Sequence, residues 1–276
     1  MPFADLELCR RLERAEGNAC LRHAKAHRRL FPESSADWLA CAGVDAVFDG
    51  IESPITQCFG LGVFAQPRPV ELETIERFFF ERGAAVDFEV SPFAGVATVQ
   101  LLCDRSYRPI ELSNVLYRSI ENPAPARESR IRVRVIDPGE AAVWSDINVR
   151  GWAHDHPELR ELLGQLCAIS AAREGSRCFL AEIDGQPGAA GLLGVHHGVA
   201  LFGGAATVPE LRRRGLQTAL LNERMRYASE HGCDLAMMVA EPGSSSQRNA
   251  ERNGFHIAYT RTKWRLDVPL SRGSLR

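Results

Sequence analysis

The chain has 276 residues, 45% of them hydrophobic and 25% charged, with a formal net charge of -2. That length exceeds the usual size of one domain and argues for two domains of an ordinary soluble globular protein. The nearly balanced charge gives no bulk attraction for nucleic acid or an anionic membrane, so neither is expected as a partner.

No run approaches the roughly 18 apolar residues of a membrane helix. The start, "MPFADLELCRRLERAEG", lacks the basic-then-apolar order of a signal peptide, and the protein is expected to be cytoplasmic. The eight cysteines never fall into a C-x-x-C pair or a Cys/His cluster with zinc spacing. Most sit among apolar neighbours, as in "QLLCDR" and "SRCFLAEI", and read as reduced structural thiols. His154, His156, His196 and His197 read as loop and turn residues, because spacing places no third ligand beside them; no metal is expected.

In chain order, "ELETIERFFFERG" is a helix closed by Gly83, and "AAVDFEVSP" a strand ending at Pro92. A short helix, "ATVQLLCDRSY", then leads into the β-rich "RPIELSNVLYRSI". The Pro-containing stretch "ENPAPARESR" reads as an exposed linker and gives the expected boundaries: a domain over 1–121, a linker over 122–130 and a domain over 131–276.

Beyond the linker, "CFLAEI", "QPGAAGLLGVH" and "VALFGGAATV" read as three strands separated by "DG" and "HHG" turns, hence a locally antiparallel sheet. "ALLNERMRYASEHG" is a helix closed by Gly232, and "CDLAMMVAEP" a strand ending at Pro242. "SSSQRNAERNGF" and "HIAYTRTKWRL" complete the half as a short helix and a strand. Gly83 and Gly232, and Pro92 and Pro242, are equally far apart to within one residue, which reads as a tandem of one α/β fold.

The stretch "TVPELRRRGLQTALL" carries the chain from a strand into a helix through three arginines and a glycine. Unpaired first-turn amides and the positive end of the helix dipole make such a junction a setting for an anion, with phosphate the obvious guest. In the first half the matching helix begins "PVELETIERF", with Glu71 and Glu73 where an anion would sit; those carboxylates satisfy the dipole themselves and repel phosphate.

These residues, in this order of elements, resemble the GNAT superfamily of acyl-CoA-dependent N-acetyltransferases. "LRRRGLQTALL" is similar to the family's pyrophosphate loop, R/Q-x-x-G-x-G/A, and the later "NGF" to its entry into the last strands. The resemblance covers about residues 131 to 266 and implies an α/β (α+β) fold of two GNAT-like domains. Each would be a mixed, largely antiparallel sheet flanked by helices, with the N-terminal domain degenerate and lacking a cosubstrate loop.

It further implies acetyl-CoA as cosubstrate, with the pyrophosphate cradled by Arg212, Arg213, Arg214, Gly215, Leu216, Gln217 and Thr218. Gln217 departs from the family's glycine or alanine. A backbone amide of the preceding strand, among Ala205 to Val208, would hold the thioester carbonyl. The tyrosine that many members use as general acid falls here on Ala250 and is missing. Glu241 is the candidate base; Asn249 and Ser246 are candidates to hydrogen-bond the cosubstrate or order a water, and Tyr259 and Tyr227 read as core or sheet residues. The reaction implied is acetyl transfer to a primary amine by direct attack. The alternative is a non-catalytic acyl-CoA-binding or regulatory module. The acceptor and the oligomeric state stay open.

Overall fold

The computed structural model describes residues 3–51, 53–120, 130–154 and 157–269. Contacts divide them into two compact units: one runs to Val115 and takes in Ala240–Gln247 and the residues from Ile257 onward, and the other joins Leu116–Val239 to Arg248–His256. These units do not follow the expected cut at 122–130, which, apart from Arg130, lies outside the described residues.

The first unit opens with α1 (Leu6–Leu30), whose N-cap Asp5 accepts from the Leu8 N–H at 2.9 Å. Leu8, Leu12, Ala15 and Cys20 recur at helical spacing and are buried. Then come β1 (Asp37–Cys41), β2 (Val44–Phe48), β3 (Gln57–Phe59), α2 (Pro69–Phe80), β4 (Val86–Val90), α3 (Gly95–Asp104) and β5 (Arg108–Ser119). β1 and β2 form a hairpin through Ala42 and Gly43, both at positive φ, as a tight primed turn demands. A core of Phe48, Leu72, Ile75, Phe79, Phe88 and Leu102 lies between strands and helices.

The second unit contains β6 (Ile131–Val135), α4 (Ala141–Trp152), α5 (Arg160–Ala172), β7 (Ser176–Ile183), β8 (Gln186–His196), β9 (Val199–Thr207), α6 (Leu216–Glu230) and β10 (Leu235–Ala240), then most of α7 (Ser245–Arg252). The "DG" and "HHG" turns make hairpins as expected: Ile183 faces Gln186 and His196 faces Val199, with Asp184, Gly185, His197 and Gly198 at positive φ. Antiparallel β6 to β9 with helices alongside give the expected mixed α/β fold.

The two halves of the chain exchange their last strands. β11 (His256–Leu266) pairs antiparallel with β4, from Thr262 opposite Val90 to Leu266 opposite Val86. In turn, the last residues of β5 lie beside β10, and the Ile120 N–H donates to the Asp234 carbonyl at 2.9 Å. This exchange moves β11 out of the unit that the linker assigns to it.

Where β11 enters the first unit it carries charge into the core. Arg261 is buried and binds the Glu16 carboxylate at 2.7 and 2.9 Å and Glu89 at 2.9 Å, with Glu13 at 3.7 Å. Tyr259 donates to Glu13 at 2.9 Å. Burial raises the Glu13 carboxyl from 4.5 to about 7, against the opposing pull of Arg261. The folded state therefore holds a proton that the unfolded chain releases between those values. Glu13 stabilises fully below pH 4.5, and its contribution is lost as pH rises toward about 7. Wild type minus Glu13→Gln, compared by denaturant unfolding across that window, should show this loss with a slope of at most about 1.4 kcal/mol per pH unit. Parallel profiles for the two proteins would refute it.

Candidate cosubstrate site

The site is built where β9 delivers the chain into α6. Opposite Gly191 of β8, β9 spends two residues, Gly204 and Ala205, since Leu192 pairs with Gly203 and Ala190 with Ala206. This is a β-bulge, and Gly204 takes a positive φ of 52° there. β9 and β10 pair in parallel only at Val199–Leu201 against Leu235–Met237, and no pairing continues beyond them. A bulge bends its strand, which accounts for the parting of the two.

After β9 a short 3-10 turn, Pro209–Leu211, leads to the arginines. Gly188 of β8 makes room for this turn: a Cβ there would come within 2.4 Å of a Leu211 methyl and 3.0 Å of a Leu216 methyl. Both leucines are buried, so the loop is anchored on the sheet at each end. Arg213 has a positive φ of 62° and Gly215 one of 87°. Gly215 is the N-cap of α6 in the left-handed conformation, and no side chain caps the helix. The first intrahelical bond runs from the Ala219 N–H to Gly215 O at 3.0 Å, so helix geometry leaves the Leu216, Gln217 and Thr218 amides without intrahelical acceptors. An uncapped helix mouth beside two exposed arginines is a fitting seat for a diphosphate.

The expected binding residues divide by role. Arg213 and Arg214 are exposed, and no described carboxylate pairs with either. Arg212 instead donates to the carbonyls of Gly151 at 3.1 Å and Thr207 at 3.4 Å, tying α4 to the end of β9. Gln217, the departure from the family pattern, donates to the Thr207 hydroxyl at 2.7 Å and is thus drawn back to β9. Val208 is committed as well: its N–H bonds Gly188 O at 2.9 Å and its carbonyl accepts from Leu211 at 3.1 Å. Its amide is therefore spent within the sheet.

The mouth of the matching helix of the first half carries a carboxylate with its own partner. The Glu71 carboxylate accepts from the Arg68 N–H at 2.9 Å and pairs with the Arg68 guanidinium at 2.6 Å, so it caps the N-cap backbone amide. These bonds hold Glu71 below the usual carboxylate range. Glu73 lies 3.6 Å from Arg105. The segment after β3 is also packed shut, since a Cβ on Gly62 would meet Thr98 Oγ1 at 2.6 Å and Ala94 at 2.8 Å.

The catalytic candidates are less well placed. Glu241 and Ser246 are exposed and belong to the segment grouped with the other unit, whereas Asn249 groups with the loop. Asn249 Oδ1 receives a long 3.4 Å contact from Asn253. Ala250 is fully buried. Tyr259 is a buried partner of Glu13, and Tyr227 accepts from Arg177 at 2.9 Å while stacking on His231. Among the described residues no group of three His, Cys, Asp or Glu could hold a metal; His156 lies outside them. Sequence reading missed Gly188, Gly191 and the buried Arg224. Glycines inside a strand pattern, and an arginine on the apolar face of α6, are the signals that could have found them.

Residues 121–241 match the family model described as "Acetyltransferase (GNAT) domain". Curated proteins give no match. Among solved structures the chain is similar to a GCN5-related N-acetyltransferase from Kribbella flavida, with a TM-score of 0.62 at 16% identity over 90% of this chain and 94% of that one. It is similar to a second, from Sphaerobacter thermophilus, at TM-score 0.53 and 19% identity over 84% and 76%. A tandem GNAT protein from the clavulanic acid biosynthesis pathway matches at TM-score 0.55 and 14% identity over 73% and 70%. At these identities the likeness is one of fold. The fold is of the GNAT type. Within this fold the family model accounts for segment 121–241.

Proposed function

We propose that this protein is an N-acetyltransferase that moves an acetyl group from acetyl-CoA to a primary amine by direct attack. The observation that carries the reading is the α6 mouth: uncapped, fronted by Arg213 and Arg214, and opening from a bulged strand that parts from its parallel neighbour. Bound acetyl-CoA would supply an activated thioester carbonyl. The amides of Leu216, Gln217 and Thr218 would hold its pyrophosphate, and an amide of Ala205–Thr207 would polarise the carbonyl as negative charge builds on it. Arg212 and Gln217 act one step back, fixing the loop to Thr207.

Amine attack needs a proton removed, directly or through water, and Glu241 is the proposed base. Asn249 and Ser246 are proposed to order the cosubstrate or a water. With alanine at 250, the leaving thiolate takes its proton from solvent in this scheme. The N-terminal half is proposed as a GNAT-like partner that does not bind acetyl-CoA, within a tandem, cytoplasmic protein. A specific observation favours a second reading, a non-catalytic acyl-CoA-binding module: Ala250 replaces the acid and Glu241 is exposed. Release of free CoA thiol on adding a panel of primary amines separates the two. Turnover dependent on the amine is expected, and binding without turnover would favour the module.

A further inference from the structure

Arg224 lies on the sheet-facing side of α6, about two and a half turns beyond Gly215, and is buried with no carboxylate partner among the described residues. A buried guanidinium without an ion pair is costly, and an apolar residue would fill a helix-sheet contact at less expense. Burial lowers its pKa to about 9, which leaves it cationic at neutral pH. Its donors go to main-chain carbonyls. Nη1 donates to Leu192 O at 3.0 Å and to Gly203 O at 3.4 Å, and Nε to Leu220 O at 3.3 Å.

Leu192 and Gly203 are the pair that flanks the bulge. At a bulge the ladder of strand hydrogen bonds is interrupted, and the carbonyls beside it need other donors. The third carbonyl there, Gly191 O, accepts from the Trp144 indole at 3.2 Å. Gly191 itself leaves space for α6: a Cβ would stand 2.9 Å from a Leu220 methyl and 3.1 Å from Arg224 Cζ and Nη1. A guanidinium on Gly203 O also polarises the peptide that it shares with the Gly204 N–H, making that amide a stronger donor.

We propose that Arg224 is a positioning residue for acyl transfer, which holds Leu192 O and Gly203 O and so fixes the bulge, and the Ala205–Thr207 amides after it, to receive the thioester carbonyl. This rests on the acetyltransferase reading above. The role differs from that of the loop: it concerns the carbonyl and leaves the pyrophosphate contacts alone.

The test compares wild type with Arg224→Met, Arg224→Lys and Gly191→Ala, the last keeping the arginine but crowding its guanidinium. CoA affinity is read by calorimetry, the thioester carbonyl stretch of bound carbon-13-labelled acetyl-CoA by infrared difference spectroscopy, and kcat with an accepted amine. Arg224→Met should keep CoA affinity within about threefold, return the carbonyl stretch toward its free value, and lower kcat about tenfold or more, since losing a whole oxyanion donor costs about 10² to 10³. Lysine should restore part of both, and Gly191→Ala should move the stretch in the same direction as methionine. Should the methionine variant fold poorly, the lysine and alanine variants carry the test.

Variants that match wild type in stretch and kcat would overturn the proposal alone. Loss of CoA affinity in step with kcat would make Arg224 a stability residue and overturn it too. A wild type that binds CoA but neither shifts the carbonyl nor turns over would overturn the acetyltransferase reading together with it.

Discussion

Gly215→Glu should abolish CoA binding while the protein stays folded. Gly215 caps α6 at φ 87°, where a side chain is strained by roughly 1 to 2 kcal/mol, and its Cβ would face only a methyl of Ile131 at 3.5 Å. The larger effect is charge. A carboxylate at the mouth would do in this helix what Glu71 does in α2, capping the free amides and repelling the phosphates. Gly215→Ala separates the two contributions: it carries the strain without the charge and should weaken binding only in part. Thermal melting with and without CoA reads both variants. Wild type and the alanine variant should be stabilised by the ligand and the glutamate variant should not. A glutamate variant still stabilised by CoA would contradict the loop assignment.

Arg261→Met should destabilise the protein by about 3 to 5 kcal/mol, the cost of leaving buried charges without their partner. Its guanidinium is the shared counter-charge of Glu16 and Glu89, with Glu13 within 3.7 Å. Lys263, 3.2 Å from Glu89, compensates only one of them. The denaturant midpoint should fall sharply, and adding Glu16→Gln and Glu89→Gln to the methionine variant should restore part of the loss. A methionine variant as stable as wild type would show that the cluster is uncharged or hydrated in the native state.

Local signals in the sequence carried much of the fold. β8 spans the whole of "QPGAAGLLGVH" and β11 the whole of "HIAYTRTKWRL", and Gly83 and Gly232 take the positive φ of helix ends, at 71° and 75°. Such features depend on neighbours a few residues away. The exchange of β5 and β11 does not, because pairing Thr262 with Val90 is a choice among distant edges that alternation in "HIAYTRTKWRL" leaves open. The same limit applied to the site. The arginine-glycine junction could be read as a candidate anion seat because helix polarity is local. That Arg212 and Gln217 turn to Gly151 and Thr207 depends on where α4 crosses β9, a tertiary fact. The bulge was written in "LFGGAAT" as two glycines within a strand and Arg224 stands in the apolar stripe of α6, but that the two meet depends on how the helix packs on the sheet.

The chain should hold a single cosubstrate site, at the mouth of α6 and not at that of α2. Calorimetric titration of the intact wild-type chain with CoA tests it most directly. One site per chain is expected, because Arg213, Arg214 and an uncapped Gly215 stand at one helix while Arg68 and Glu71 occupy the mouth of the other. Two sites of comparable affinity per chain, or none, would contradict it.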